Sequence, residues 1–124
     1  MDEFDLIAAY FAPLAQSPGA LGLGDDVAVL QTPGDVVVTA DALVEGVHFL
    51  PDDPLSTVAR KLFRVNASDL IAKGAVPIGA LLTLIWPSGR PTEQIAQFAA
   101  GLAAEQANGF ALLGGDTVST PGPL

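Results

Sequence analysis

The sequence predicts a single α+β domain of the mixed α/β kind, with a four-stranded sheet and helices on one face. Three observations predict it. Segments with helical spacing alternate with short β-branched or apolar runs, in the order helix, strand, strand, helix, strand, helix, strand. Half of the 124 residues are hydrophobic, which supplies one sizeable core, and the length suits one domain rather than two. Gly, Pro, Asn and Asp cluster between these runs, where the elements must end.

Each element has its own warrant. Phe4, Ile7, Ala8 and Phe11 make one apolar helical face over residues 4–11, and Pro13 stops that helix. Ser17-Pro18-Gly19, with Gly22 and Gly24, makes a loop. Val27 to Leu30 reads as a short strand, Thr32-Pro33-Gly34-Asp35 as a turn, and Val36 to Ala40 as a second, buried strand. Residues 41–53 read as irregular. Asp53 is then a helix N-cap and Pro54 the first helical residue, with a helix running to about Lys73 and stopping at Gly74. Gly79 to Trp86 is the third strand. Thr92 and Glu93 open a helix with Ile95, Phe98 and Leu102 on one face, and Asn108-Gly109 ends it. Phe110 to Leu113 is the fourth strand, leading into Gly114-Gly115-Asp116. No internal repeat, low-complexity linker or heptad run interrupts this order. The final Pro121-Gly122-Pro123-Leu124 is turn material, as expected of a piece of a longer chain.

Charge narrows the function classes. The formal net charge is −9, with fourteen acids against Arg60, Lys61, Arg64, Lys73 and Arg90. Such a surface repels nucleic acid and anionic lipid, so neither is an expected partner. It also repels polyphosphates unless bound cations invert the local field. The longest apolar stretch, Ile78 to Trp86, is too short to span a bilayer. Met1-Asp2-Glu3 is acidic where a secretion signal is basic, and without cysteine there are no disulfides or thiolate metal sites. A cytoplasmic protein is expected.

Four acidic positions invite a chemical reading. Asp25-Asp26 places adjacent carboxylates before a strand, which suits a bound cation or, equally, a solvated turn. Asp41 follows Val36 to Ala40 at a strand's C-terminal tip, where α/β proteins often bind ligands; alone, it is more simply the first polar residue after the strand. Asp69 continues the Val58, Leu62, Val65 stripe, so it needs a metal, a cavity or an ion pair with Lys73 one turn on. Gly114-Gly115-Asp116-Thr117 offers two glycine N–H groups to a phosphate, or else a tight turn. All these donors are oxygens, which favours Mg or Ca over Zn or Cu. His48 is the only histidine, so it makes no zinc site, and a substrate contact is its functional reading. A phosphate-binding P-loop is absent, and Gly22-Leu23-Gly24 continues into Asp25-Asp26-Val27, which breaks the dinucleotide fingerprint.

Gly22-Leu23-Gly24-Asp25-Asp26-Val27-Ala28 resembles the Gly-x-Gly-Asp-Asp-x-Ala opening of thiamine-monophosphate kinases. Asp41-Ala42-Leu43-Val44-Glu45-Gly46-Val47-His48-Phe49 resembles their Asp-Thr-Leu-Val-Glu-Gly-Val-His-Phe segment. Val65-Asn66-Ala67-Ser68-Asp69-Leu70 and the closing Lys73-Gly74-Ala75 are similar to their Val-Asn-Leu-Ser-Asp-Leu block and its Met-Gly-Ala ending. Gly114-Gly115-Asp116-Thr117 matches their Gly-Gly-Asp-Thr. The four blocks run in family order across nearly the whole chain. The His48-Phe49 segment discriminates best, because Gly-Gly-Asp is shared across the aminoimidazole ribonucleotide synthetase-like superfamily.

The resemblance implies the N-terminal domain of that superfamily's fold, binding ATP and Mg and dimerising through its sheet over residues 1–124, with the family's C-terminal domain absent. It implies transfer of the ATP γ-phosphoryl group to thiamine monophosphate, the last step of thiamine diphosphate biosynthesis. By carry-over, Asp26, Asp41, Asp69 and Asp116 are ligands of several Mg ions and Thr39 adds a metal contact. Gly114 and Gly115 meet ATP, and His48 meets the substrate. Ala40 stands where the family commonly has Thr, so one hydroxyl contact is lost. No side chain is assigned as nucleophile or base. The isolated chain is expected to be inactive. The competing readings are another ATP-using synthetase of the superfamily and a non-catalytic metal-binding or dimerisation module.

Overall fold

The computed structural model describes residues 2–25 and 27–124. The chain opens with α1 (Glu3–Leu6), where Asp2 caps the first turn by accepting from the Asp5 N–H at 2.8 Å. The helix then widens into one π turn over Ile7–Phe11 and tightens into a 3₁₀ turn, Ala12–Leu14, that contains Pro13. The expected first helix is therefore present, and Leu6 and Phe11 are its buried residues.

Two longer helices form the body. α2 (Leu55–Ala72) buries Leu55, Val58, Ala59 and Ala67. Its start differs from expectation: Pro54 is the cap, and the Asp53 carboxylate turns back to accept from the Leu50 N–H at 2.8 Å. Closing the 50–53 turn competes with capping for that carboxylate. Gly74 ends the helix as predicted, its N–H bonded to Ile71 O. After a 3₁₀ turn at Thr92–Gln94, α3 (Ile95–Gln106) packs along α2 and buries Ile95, Phe98, Ala99 and Leu102. The helices come close at Gly101, where a Cβ would stand 2.2 Å from Ser56 O, so only glycine fits there.

The sheet has two strands among the described residues, not four. β1 (Gly79–Pro87) and β2 (Ala111–Thr120) pair in parallel, with α3 in the crossover. The register jumps between Ala80/Leu112 and Leu81/Gly114, leaving Leu113 as an extra residue in β2. Leu84 and Trp86 point into the helical core with Leu112, so the helices cover one face. Leu81, Ile85 and Val118 lie exposed.

Three expectations need correction. Residues 27–30 and 36–40 form no strand and join no ladder among the described residues, and Val27, Val29 and Val38 are exposed. β-branched residues favour a strand only where a neighbour pairs and packs with them, and here none does. Val29 N–H donates to Gly19 O at 2.8 Å and ties this stretch to the loop. The fourth strand does not stop at Leu113 but continues through the two glycines to Thr120, so Asp116 lies inside a strand rather than at its tip. No helix among the described residues is long and apolar enough to cross a membrane.

Candidate functional site

The solvent-facing side of α2 makes one wall of a shallow groove of about 710 Å³, lined by Asp41, Thr57, Arg60, Lys61, Arg64, Val65, Ser68 and Asp69. The helical lining positions recur at intervals of three and four, which is why they share a face. Asn66 fixes Asp41 to this helix: its side-chain amide donates to Asp41 O at 3.2 Å and to Leu62 O at 2.9 Å. Two sequence-predicted ligands, Asp41 and Asp69, thus share one groove.

Asp69 occupies the last turn of α2, where a carboxylate opposes the helix dipole; that turn holds no basic residue, and Lys73 follows it as the C-cap. It is exposed, and no ion pair joins it to Lys73 among the described residues. The salt-bridge alternative therefore lacks its contact. Exposure of Asp69 also corrects the expectation that it continues a buried stripe.

The other predicted residues lie elsewhere. Thr39 is half-buried and precedes the groove residue Asp41 by two positions. Asp116 sits on β2 opposite Thr83 and is exposed. Gly114 and Gly115 pair with Leu81 and Leu82 of β1. Asp26 lies outside the described residues. Among the described residues, no three His, Asp or Glu side chains gather closely enough to hold a metal ion by themselves. The donor chemistry of the groove carboxylates suits Mg, which typically takes one or two protein carboxylates and completes its shell with water and substrate phosphates.

His48 sits beside this groove in a turn built on Gly46. Glu45 and Phe49 bridge its ends, and the Val44 N–H donates to His48 Nδ1 at 2.9 Å. Because that N–H only donates, Nδ1 is the acceptor and Nε2 carries the hydrogen. Lys61 Nζ donates to His48 O, tying the turn to α2. Arg90 holds the other side: it pairs with Glu45 at 3.6 Å, lies 5.5 Å from the Trp86 ring centroid, and bonds Gln94 through Nε at 2.8 Å.

Sequence reasoning missed Glu105. This α3 residue is 1% exposed, and its Oε1 accepts from Arg60 Nε at 2.9 Å and Arg64 Nε at 3.0 Å, while Asn108 donates to Oε2 at 2.9 Å. The signal was available: 95, 98, 102 and 105 share one helical stripe, and Arg60 and Arg64 stand one turn apart. Burial pushes the Glu105 carboxyl up, but the Arg60 hydrogen bond, the charge and hydrogen bond of Arg64, and Asn108 outweigh it and hold the group below its ordinary 4.5. A depressed folded-state value adds stability that is complete above the unfolded value and lost as pH falls through the folded one. Glu105→Gln is therefore expected to cost roughly 1–3 kcal/mol at neutral pH. It should also flatten the fall in melting temperature below pH 4.5. Thermal melts between neutral and acid pH check this; an unchanged acid slope would contradict it.

The family described as AIR synthase related protein, N-terminal domain, matches residues 24–124. A thiamine-monophosphate kinase of Caulobacter vibrioides is 53% identical over 126 residues, covering 98% of this chain and 36% of its own. One from Salmonella typhimurium is 39% identical over 126 residues, covering 98% and 38%. The crystal structure of thiamine-monophosphate kinase from Stenotrophomonas maltophilia K279a superposes with a TM-score of 0.72 at 40% identity, covering 79% of this chain and 32% of that one. A structure described as AaThiL complexed with AMPPCP and TMP gives 0.61 at 33% identity, covering 64% and 26%. The chain spans about a third of the length of the curated relatives it matches.

Proposed function

Since this chain belongs to the AIR synthase related family through its N-terminal domain, we propose that it is the N-terminal part of a thiamine-monophosphate kinase. That enzyme makes thiamine diphosphate and ADP from thiamine monophosphate and ATP. The observation that carries the reading is the groove along α2, which brings Asp41 and Asp69 together beside the His48 turn. The relatives' kinase names supply the reaction.

The residues suit phosphoryl transfer. This chemistry asks for charge neutralisation and in-line positioning rather than a covalent intermediate. The acceptor is a phosphate oxygen that is already ionised at neutral pH, so no side chain has to remove a proton. Asp26, Thr39, Asp41, Asp69 and Asp116 are the proposed Mg ligands, and Ala40 leaves that position only its carbonyl. When bound, Mg neutralises charge on the phosphates. The backbone at Gly114 and Gly115 is proposed to meet ATP. His48, with Nδ1 occupied by Val44, offers Nε2–H as a donor to the substrate.

Two expected results test the reading on the chain as it stands. ATP binding in equilibrium dialysis should fall more than about a hundredfold in EDTA and return with Mg, because a carboxylate groove repels an unneutralised nucleotide. Undiminished affinity in EDTA would sink the metal bridge. The chain alone should produce no ADP with thiamine monophosphate.

A third expected result concerns assembly. We propose a homodimer through the sheet, supported by the exposed apolar residues Leu81, Ile85 and Val118 and by the unpaired stretch 27–40. Light scattering should give twice the 12.6 kDa chain mass. A clean monomer would refute the pairing.

A further inference from the structure

The groove holds more than its two carboxylates. The chain has five Lys and Arg residues against fourteen acids, yet Arg60, Lys61 and Arg64 all line this one groove. They occupy a single turn of α2, about 6 Å of helix axis at 1.5 Å per residue. They set three positive charges beside the groove's two carboxylates, Asp41 and Asp69, on a chain whose net charge is −9.

The two arginines are also held in place. Glu105 bonds only their Nε groups, and both side chains remain largely open to solvent, 47% for Arg60 and 61% for Arg64. A guanidinium has five N–H donors, so the terminal nitrogens retain their donors for a ligand. One buried carboxylate balances one of the three charges, which leaves the triad itself net positive. Ser68 adds a hydroxyl donor along the same wall, whereas the Thr57 hydroxyl is already donated to Pro54 O at 2.6 Å. Such a set of oriented guanidinium, ammonium and hydroxyl groups is suited to phosphate oxygens.

We propose that Arg60, Lys61 and Arg64 form a phosphate-binding wall that meets the phosphoryl oxygens of the ligand directly, with Glu105 as the positioning residue that aims the two guanidinium groups. The wall deepens the kinase reading and rests on it: one end of the groove carries carboxylates for a metal, and the adjoining turn carries cations for the anion that the metal accompanies. It assigns phosphate contacts to side chains that the four motif blocks leave out.

The test uses inorganic pyrophosphate as probe, titrated calorimetrically into this chain in EDTA at low ionic strength. Weak binding by the unaltered chain is expected. Lys61→Met and Arg64→Met should each weaken it about tenfold, the effect of removing one charged hydrogen bond. Lys73→Met, at an exposed cation outside the groove, should leave it unchanged. Asp69→Asn should tighten it, because a repelling carboxylate is gone, although the same change weakens Mg-dependent ATP binding. A structural role for these cations predicts no such opposite signs. Should Arg64→Met unfold the chain by stranding Glu105, Lys61→Met still decides, since Lys61 bonds only a backbone carbonyl. Glu105→Gln should weaken pyrophosphate binding at temperatures well below its melting point. No binding by the unaltered chain, or an equal loss in Lys73→Met, overturns the wall. Parallel titration with Mg·ATP separates the two ideas: binding of Mg·ATP unaffected by Lys61→Met and Arg64→Met refutes the wall alone. Pyrophosphate binding with no Mg·ATP binding refutes the kinase reading alone.

Discussion

Asp69→Asn is expected to lower thiamine diphosphate formation more than about a hundredfold, as loss of a metal ligand at a phosphoryl-transfer site should. The variant is best read in a chimera that joins this chain to the rest of the Caulobacter vibrioides relative. Asn keeps the size and loses the charge, so the groove shape survives. Stability should hold or rise by a few tenths of a kcal/mol, because an exposed carboxylate in the last turn of α2 opposes the helix dipole. A residue that costs its own helix stability, and whose expected lysine partner does not pair with it, is retained for something other than the fold. Turnover and melting temperature measured together decide the point. A melting temperature several degrees lower with kinetics intact would make Asp69 a structural residue.

Gly115→Ala is expected to destabilise the domain by roughly 3 kcal/mol or more, a large share of the stability of a small domain. The cause is backbone geometry. Gly115 has φ of +147°, and a Cβ there would lie 1.6 Å from Leu82 O and 2.7 Å from Leu82 N. β1 itself would have to move. Gly114 differs: its nearest neighbour to a Cβ is Leu81 Cδ2 at 3.5 Å, an ordinary contact. Gly114→Ala is expected to cost under about 1 kcal/mol. It therefore reports on ligand approach, whereas Gly115→Ala reports mainly on the fold. Urea denaturation of both variants checks the contrast, and equal stabilities would contradict it.

This pair shows what the sequence could and could not reveal. Gly114-Gly115 was legible as a place where something approaches the backbone closely. At Gly115 that something is the neighbouring strand, and register is not written in one strand's residues. Helices α2 and α3 were legible because their apolar spacing and stop signals are local. Residues 27–40 carry equally clear β-branched runs, yet strand formation depends on a partner, and none pairs with them among the described residues. In the groove, Asp41 and Asp69 could be singled out by type and position, but their shared location depends on Asn66 reaching back to the Asp41 carbonyl. Glu105 escaped because a carboxylate in an apolar stripe has no visible purpose until two arginines from another helix reach it.

The chimera with the Caulobacter vibrioides relative also provides the most direct test of the kinase assignment. Incubated with Mg, ATP and thiamine monophosphate, it should yield thiamine diphosphate and ADP in equal amounts, detected by chromatography, at a rate comparable to the unaltered Caulobacter protein. A folded chimera that binds Mg·ATP but forms no thiamine diphosphate, beside an active parent, would contradict the assignment.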